Sequence, residues 1–117
     1  MLDLDKELAV TRHVLDAASL RSRAIMHNIA NQNTPGYKRF TVSFEQQLRQ
    51  AHADGLPLGQ VRPVVERDLS GAPEANNVSV MQELAQLEKV QLIHDLFSRR
   101  AGGYFTHLNK AIFGRGG

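Results

Sequence analysis

The sequence predicts an all-α protein in which two long helices, one N-terminal and one C-terminal, pack as an antiparallel, coiled-coil-like pair. A short irregular, β-containing middle segment joins them. Two apolar seams of helical period, one near each end of the chain, and an abrupt turn after the first seam support this prediction. We divide the 117 residues into an N-terminal helical arm (1–38), a connecting segment (39–78) and a C-terminal helical arm (79–117). The two arms are expected to form one structural domain.

The N-terminal arm carries apolar or small residues in alternating steps of four and three, which is the spacing of a coiled-coil seam. A helix of this length would extend about 42 Å. The small and polar members in the middle of the seam would allow close helix approach, and a simple amphipathic helix on a globular core remains the alternative. The seam consists of Leu4, Leu8, Thr11, Leu15, Ala18, Ser22, Ile25 and Ile29.

The C-terminal arm opens with a helix-start signal, because Ser79 and Gln82 have the spacing of a capping box with Ser79 as N-cap. Its seam has a mean step close to 3.5 residues, which again indicates helix-on-helix packing. Gly102-Gly103 interrupts it, and we expect a bend or a close contact there. The seam consists of Val80, Leu84, Leu87, Val90, Ile93, Phe97, Ala101, Tyr104, Leu108 and Ala111.

The first arm ends at residues 30–38, where several residues disfavour helix. Thr34 precedes a proline, so its backbone is pushed out of the helical region. Pro35 has no N–H, and Pro-Gly favours a turn in which Gly36 takes a positive φ. These residues are therefore expected to end the helix and redirect the chain.

This stretch resembles the A-N-x-x-T-P-G-Y-K signature near the N-terminus of bacterial flagellar rod and hook proteins. The matching signature residues are Ala30, Asn31, Thr34, Pro35, Gly36, Tyr37 and Lys38, preceded by Asn28-Ile29. The C-terminal arm is similar to that of proximal rod proteins of the FlgB type, through Asn76-Asn77-Val78-Ser79-Val80, Glu83-Leu84-Ala85 and Lys110-Ala111-Ile112. Hook and distal rod proteins carry large inserted domains in the middle, for which this chain has no room.

The resemblance implies a structural subunit of the bacterial flagellum that polymerises into a helical tube, crosses the periplasm and transmits motor torque. The implied partners are copies of itself, other rod subunits (FlgC-like and distal rod), the membrane-ring adaptor FliE and the flagellar type III export gate. It also implies an export-gate element at Phe44 and Leu48, although Phe40 and Phe44 have the same spacing. The alternatives are the other small proximal rod protein, of FlgC type, and a non-flagellar helical adaptor that dimerises through its arms.

The middle segment contains local signals for short elements only. Residues 40–44 alternate in polarity and predict a brief strand, and residues 44–48 predict a short helical turn. Residues 61–65 predict an edge strand, because Pro63 cannot donate to a sheet ladder. Turns are predicted at Asp54-Gly55, Leu58-Gly59 and Ser70-Gly71-Ala72-Pro73.

Several function classes are disfavoured. The chain has no cysteine, and His13 and His27 would lie about 21 Å apart on one helix, so no metal site is expected. No catalytic motif or cofactor site is recognisable, and the protein is not expected to be an enzyme. The net charge of +2 is too small to predict nucleic-acid binding.

The sequence also lacks the signals of membrane insertion and of secretion through a cleaved leader. No apolar run approaches the roughly 20 residues of a membrane helix. The first seven residues are acidic and amphipathic, unlike a cleavable signal peptide. We therefore expect export without a cleavable signal peptide to a flagellar basal body in the periplasm, as the resemblance implies.

Overall fold

The protein is mostly helical, with one small antiparallel sheet. The computed structural model describes residues 4–113, without the side chains of Leu4, of residues 104–109 and of residues 111–113. In chain order the elements are α1 (Leu4–Ala30), β1 (Phe40–Ser43), α2 (Glu45–Ala53), a 3-10 turn (Leu58–Gln60), β2 (Val64–Arg67) and α3 (Val80–Phe113). The two predicted long helices are confirmed, and the middle segment is more ordered than predicted.

The two long helices lie side by side and run in opposite directions. Asn28, near the end of α1, contacts Glu83 in the first turn of α3. Val10, near the start of α1, lines the same groove as Phe97 in the later part of α3. Between these points Ala18, Ile25 and Val90 form a buried cluster, against which Ile29 and Leu87 pack.

The start of α3 matches its sequence signal. Ser79 precedes the first helical residue, and its Oγ accepts the Gln82 N–H at 3.5 Å, as expected of an N-cap. The helix continues through Gly102-Gly103 without interruption. A Cβ on either glycine would meet no atom within 4 Å among the described residues, and the expected bend or close contact there stays a prediction.

The sheet pairs β1 with β2 in an antiparallel register from Phe40 opposite Arg67 to Ser43 opposite Val64. The predicted first strand is confirmed. The second strand begins three residues later than predicted, at Val64. The reason is that the buried Val61 ends the 3-10 turn, donating its N–H to Leu58 O at 3.2 Å. Pro63 therefore precedes the strand rather than lying within it.

A second buried cluster anchors the middle segment on α1. Phe44 is 2% exposed and packs with Ala17, Ala51 and Val61. Leu48 packs against this cluster from α2, together with Val14 and Leu58. The helical turn predicted at residues 44–48 is confirmed and extends to Ala53. Burial of these side chains therefore fixes α2 and the 3-10 turn on one side of α1.

Among the helices of residues 4–113, none combines the length and the apolar character that crossing a lipid bilayer requires.

Candidate functional site

The end of α1 passes into a tight turn formed by the signature residues. Thr34 donates its N–H to Asn31 O at 3.0 Å, and Tyr37 donates its N–H to Thr34 O at 3.3 Å. Gly36 has a φ of 72°, which confirms the positive φ predicted from the Pro-Gly pair. Four signature residues of this turn are exposed: Ala30, Thr34, Pro35 and Gly36.

Asn28 is the fully buried centre of the polar contacts beside this turn. Its Nδ2 donates to Phe40 O at 2.9 Å and to Glu83 Oε2 at 3.2 Å. Its Oδ1 accepts the Phe40 N–H and the Tyr37 hydroxyl, both at 2.8 Å. Both donors and both acceptor positions of the amide are therefore used. One side chain joins α1, β1 and α3 at a single point.

Glu83, in the first turn of α3, is also fully buried and is paired with Arg39. Its Oε1 accepts from Arg39 Nε at 2.6 Å, and Arg39 Nη1 lies 3.4 Å from Asp68 Oδ2. Burial disfavours the guanidinium charge, but its bonds to Glu83 and Asp68 outweigh that effect and raise the pKa of Arg39. Hydrogen bonds from Ser70, and then the contact with Arg39, lower the pKa of Asp68. The buried carboxylate is thus tolerated because it is paired.

Tyr37 is buried among aromatic and cationic side chains. Since Tyr37 donates its hydroxyl hydrogen to Asn28, the hydroxyl oxygen is left to accept from His27 Nδ1, 2.8 Å away. The Arg67 guanidinium lies 3.8 Å from the Phe40 ring centroid and 5.2 Å from that of Tyr37. Burial raises the pKa of Tyr37. The ring therefore fixes the signature turn against the sheet.

Lys38 ties the signature to the chain that precedes α3. Its Nζ donates to Ala72 O and Ala75 O at 2.7 Å, and to Ser70 O at 3.3 Å. The ammonium has three donors, so each has a main-chain acceptor. Gly71, with a φ of 84°, turns this segment around the ammonium.

Asn76 and Asn77 complete the connection from the other direction. The Asn76 Nδ2 lies 2.8–3.1 Å from three carbonyl oxygens of the signature turn, those of Asn31, Gln32 and Thr34. Asn77 Oδ1 accepts the Arg39 N–H at 2.8 Å, and Asn77 Nδ2 donates to Asp68 O at 2.6 Å. We call the set the signature cluster: Asn28, Tyr37, Lys38, Arg39, Asp68, Asn76, Asn77 and Glu83.

The signature cluster is a structural joint between three distant parts of the chain. No buried side-chain nitrogen or oxygen of the described residues lacks a hydrogen-bond partner. Within the described part of the chain, no three His, Cys, Asp or Glu side chains are grouped closely enough to hold a metal ion. What this arrangement does is hold the end of α1, the sheet and the start of α3 in one fixed geometry.

The residues predicted as an export-gate element, Phe44 and Leu48, lie in the cluster that anchors α2. Arg21 of α1 contacts the chain on both sides of Phe44, because its Nε donates to Val42 O at 2.9 Å and its guanidinium makes a bidentate contact with Glu45. That hydrogen-bonded contact lowers the pKa of Glu45 to about 2. In the folded chain the element is therefore packed on α1, and its role in export stays a prediction.

The predicted assembly seam is distributed over buried, half-buried and exposed positions. Thr11, Ala18, Ile25 and Val90 are buried. Leu84 is 49% exposed. The half-buried members are Leu8, Leu15, Ser22, Ile29, Val80, Leu87, Ile93, Phe97 and Ala101, and the side chains of Leu4, Tyr104, Leu108 and Ala111 lie outside the described residues.

Sequence reasoning missed the polar centre of the site. Asn28 lies between Ile25 and Ile29, and Glu83 lies three residues after Val80 and four before Leu87. Helical spacing places both polar residues on apolar faces, which is the signal that could have identified them. Their pairing across 55 positions is not visible in a local pattern.

Comparison with known proteins gives relatives over nearly the whole chain. No family model matches the chain. The chain is 34% identical to the flagellar basal body rod protein FlgB of Aeromonas hydrophila over 128 residues, with 97% of each protein covered. It is 30% identical to FlgB of Borrelia hermsii, covering 84% of this chain and 89% of the relative. It is 28% identical to FlgB of Borreliella burgdorferi, covering 93% of this chain and 97% of the relative.

The signature turn and the capped start of α3 are the motifs that first suggested this relationship, and the structure brings them together in the signature cluster. Identity of 34% over almost the full length of both proteins extends the relationship beyond those motifs. The chain belongs to the FlgB family of flagellar basal body rod proteins.

Proposed function

We propose that this chain is a structural subunit of the proximal flagellar rod, polymerising into a helical tube that crosses the periplasm and transmits motor torque. Membership of the FlgB family supports the rod assignment. The observation that carries the polymerisation is an uncovered apolar face on α3. A polymer subunit needs such a face, because its contacts with other subunits must supply apolar burial that the free chain lacks.

The molecule is too thin to cover its own helices. Its principal extents are 62 × 33 × 14 Å. The largest extent is more than four times the smallest, so the chain is elongated and flat. The radius of gyration is 18.2 Å, against about 13 Å for a compact domain of this length. An elongated, flat chain buries a smaller part of its helix surface than a compact one, and contacts with neighbours would bury more of it.

The apolar face of α3 that points away from α1 is the best candidate for such a contact. Met81, Leu92 and Leu96 are 83%, 69% and 62% exposed. Helical spacing puts these three on the side opposite Glu83 and Val90, which face α1, with Leu84 at the edge of that side and Glu88 and Asp95 among them. An amphipathic helix normally has one apolar face, so the second face indicates a second partner.

Within each subunit, we propose that α1 and α3 act together as the antiparallel, coiled-coil-like pair predicted from the seams, forming one domain with the segment between them. Ala18 supports close approach of the two helices, because it is buried against Val90. Many small contacts along the pair would share a torsional load better than one large contact.

The further partners that we propose are FlgC-like and distal rod subunits, FliE and the export gate. Because Phe44 is packed on α1, the gate would have to read the export element before the subunit folds. Delivery would follow the type III route without a cleavable signal peptide, to the periplasmic part of the basal body.

The test is a charge placed on the proposed assembly face. Leu92→Lys should leave helicity and secretion unchanged, because the side chain is exposed in the monomer, but it should prevent incorporation into basal bodies and abolish swimming. Gln91→Lys, exposed on the same helix but on the side that lies beside Ser22 of α1, is the control. Normal incorporation of Leu92→Lys would contradict the proposed face. A purified chain that forms only closed dimers would favour a helical adaptor instead.

A further inference from the structure

Asn76 lies outside the signature but contacts its main chain directly. Its Nδ2 approaches the carbonyl oxygens of Asn31 (2.9 Å), Gln32 (3.1 Å) and Thr34 (2.8 Å). These carbonyls belong to the turn immediately after α1, where the helix no longer supplies partners. The amide has two hydrogens, so the three acceptors share them. A side chain more than 40 positions away therefore completes the end of α1.

Lys38 makes the reciprocal contact. Its ammonium donates to the carbonyls of Ser70, Ala72 and Ala75, which directly precede Asn76. Each of the two segments thus places a donor side chain among the carbonyls of the other. Two independent sets of bonds hold the same pair of segments together, so the shape of the turn is determined within one chain.

We propose that Asn76 is a positioning residue that sets the direction of the signature turn from within the same subunit, before any neighbouring subunit is met. The proposal rests on the proposed function in one respect, namely that a correctly aimed turn is needed for incorporation into the rod. The signature is then a fold-determining joint between the two arms.

The contact requires a hydrogen-bond donor at position 76, which the side-chain amide of Asn76 supplies. Its Oδ1 accepts the Val78 N–H at 2.8 Å, and an aspartate could keep that bond. An aspartate would however place a carboxylate against three carbonyl oxygens, all of which carry partial negative charge. Asn76→Asp should therefore disrupt the turn although the two side chains have nearly the same shape. Protonation, with an ordinary pKa near 4, would restore one donor.

The experiment uses the full-length purified chain and measures amide protection from hydrogen exchange at Thr34 and Tyr37, corrected for the intrinsic rate at each pH. At pH 7, Asn76→Asp should lower protection at least about tenfold, and protection should return in part below about pH 4. Asn76→Ala should lose protection both at pH 7 and below about pH 4. Asn33→Asp, an exposed position in the same turn, is the matched control and should behave as the unsubstituted chain.

Two results would overturn the proposal. One is wild-type protection in Asn76→Asp at pH 7. The other is the same pH dependence in Asn76→Asp and Asn76→Ala, since a residue that only fills space would not respond to protonation. Because this measurement needs no rod, it remains valid even if the proposed function fails.

The link between the direction of the turn and incorporation into the rod is tested separately in cells. Asn76→Asp should be secreted at the normal level but recovered in basal bodies at a several-fold lower level than Asn33→Asp. Equal recovery of the two variants would contradict the link between turn direction and incorporation. Absence of the unsubstituted chain from basal bodies would instead overturn the proposed function, and would leave the intramolecular contact intact.

Discussion

Replacing Glu83 by alanine should destabilise the monomer more than any exposed substitution on α3. The change removes a charge-assisted bond to Arg39 Nε, made at 2.6 Å and worth about 1.5–3 kcal/mol. It also leaves one Asn28 donor without its carboxylate acceptor, at a cost of about 1–3 kcal/mol. Arg39 keeps its contact with Asp68 and some solvent access, so we expect the lower part of the summed range, about 2.5–4 kcal/mol.

The measurement is urea unfolding of the purified monomer, followed by circular dichroism. Glu88→Ala, at an exposed position on the same helix, controls for the change in helix propensity and should stay within about 0.5 kcal/mol of the parent. A double-mutant cycle with Arg39→Met then isolates the pair, and we expect a coupling free energy of about 1–3 kcal/mol.

If Glu83→Ala lowers the free energy of unfolding by less than about 0.5 kcal/mol, the reasoning is refuted. Removing a fully buried, paired carboxylate should cost more than removing an exposed one. A coupling near zero would show that Arg39 finds another partner when Glu83 is absent. In that case the signature cluster would not be the joint that holds α3 to the sheet.

Three further predictions concern other parts of the molecule. Gly36→Val should cost about 1–3 kcal/mol through backbone strain at positive φ and reduce rod incorporation, whereas Gly36→Asn should be tolerated; quantifying each variant in periplasmic and basal-body fractions tests this. Phe97→Asp should block incorporation because it charges the half-buried groove between the helices, while the exposed Arg12→Ala should swim normally. The Glu45 pKa is lowered, so its contact with Arg21 stabilises the fold above about pH 4.5, and that contribution is lost as the pH falls towards 2. Arg21→Gln should reduce the pH dependence of the free energy of unfolding over this range, by no more than about 1 kcal/mol because Glu45 is largely exposed. Urea-unfolding midpoints measured across the same pH range test this.

The helices were predictable because their signals are local. The apolar spacing of each arm, the Pro-Gly turn and the Ser79 cap each act within a few residues, and α1 and α3 follow them. Gly102-Gly103 does not end the helix, since its helix penalty, about 2 kcal/mol, is small beside the propensity and packing of a 34-residue helix. Local preferences were therefore enough to locate the elements.

The candidate site was only half predictable. The signature residues were identified from their pattern, but the residues that hold them come from the other end of the chain. Glu83, Asn76 and Asn77 are joined to the signature by bonds that span between 38 and 55 positions, and no periodicity within one element encodes such a pairing. The family resemblance includes these residues without indicating that they contact one another, and polar residues on apolar helix faces were a second sign of their role.

The central claim is that the signature turn is held by its own chain while the outer face of α3 meets a neighbour. A density map of the rod in intact basal bodies, at side-chain resolution, tests both parts at once. The account predicts Asn28, Asn76 and Glu83 bonded within one subunit, and Leu92 and Leu96 covered by an adjacent subunit. A map in which Asn76 bonds to the signature of a different subunit, or in which the outer face of α3 contacts only solvent, would contradict it.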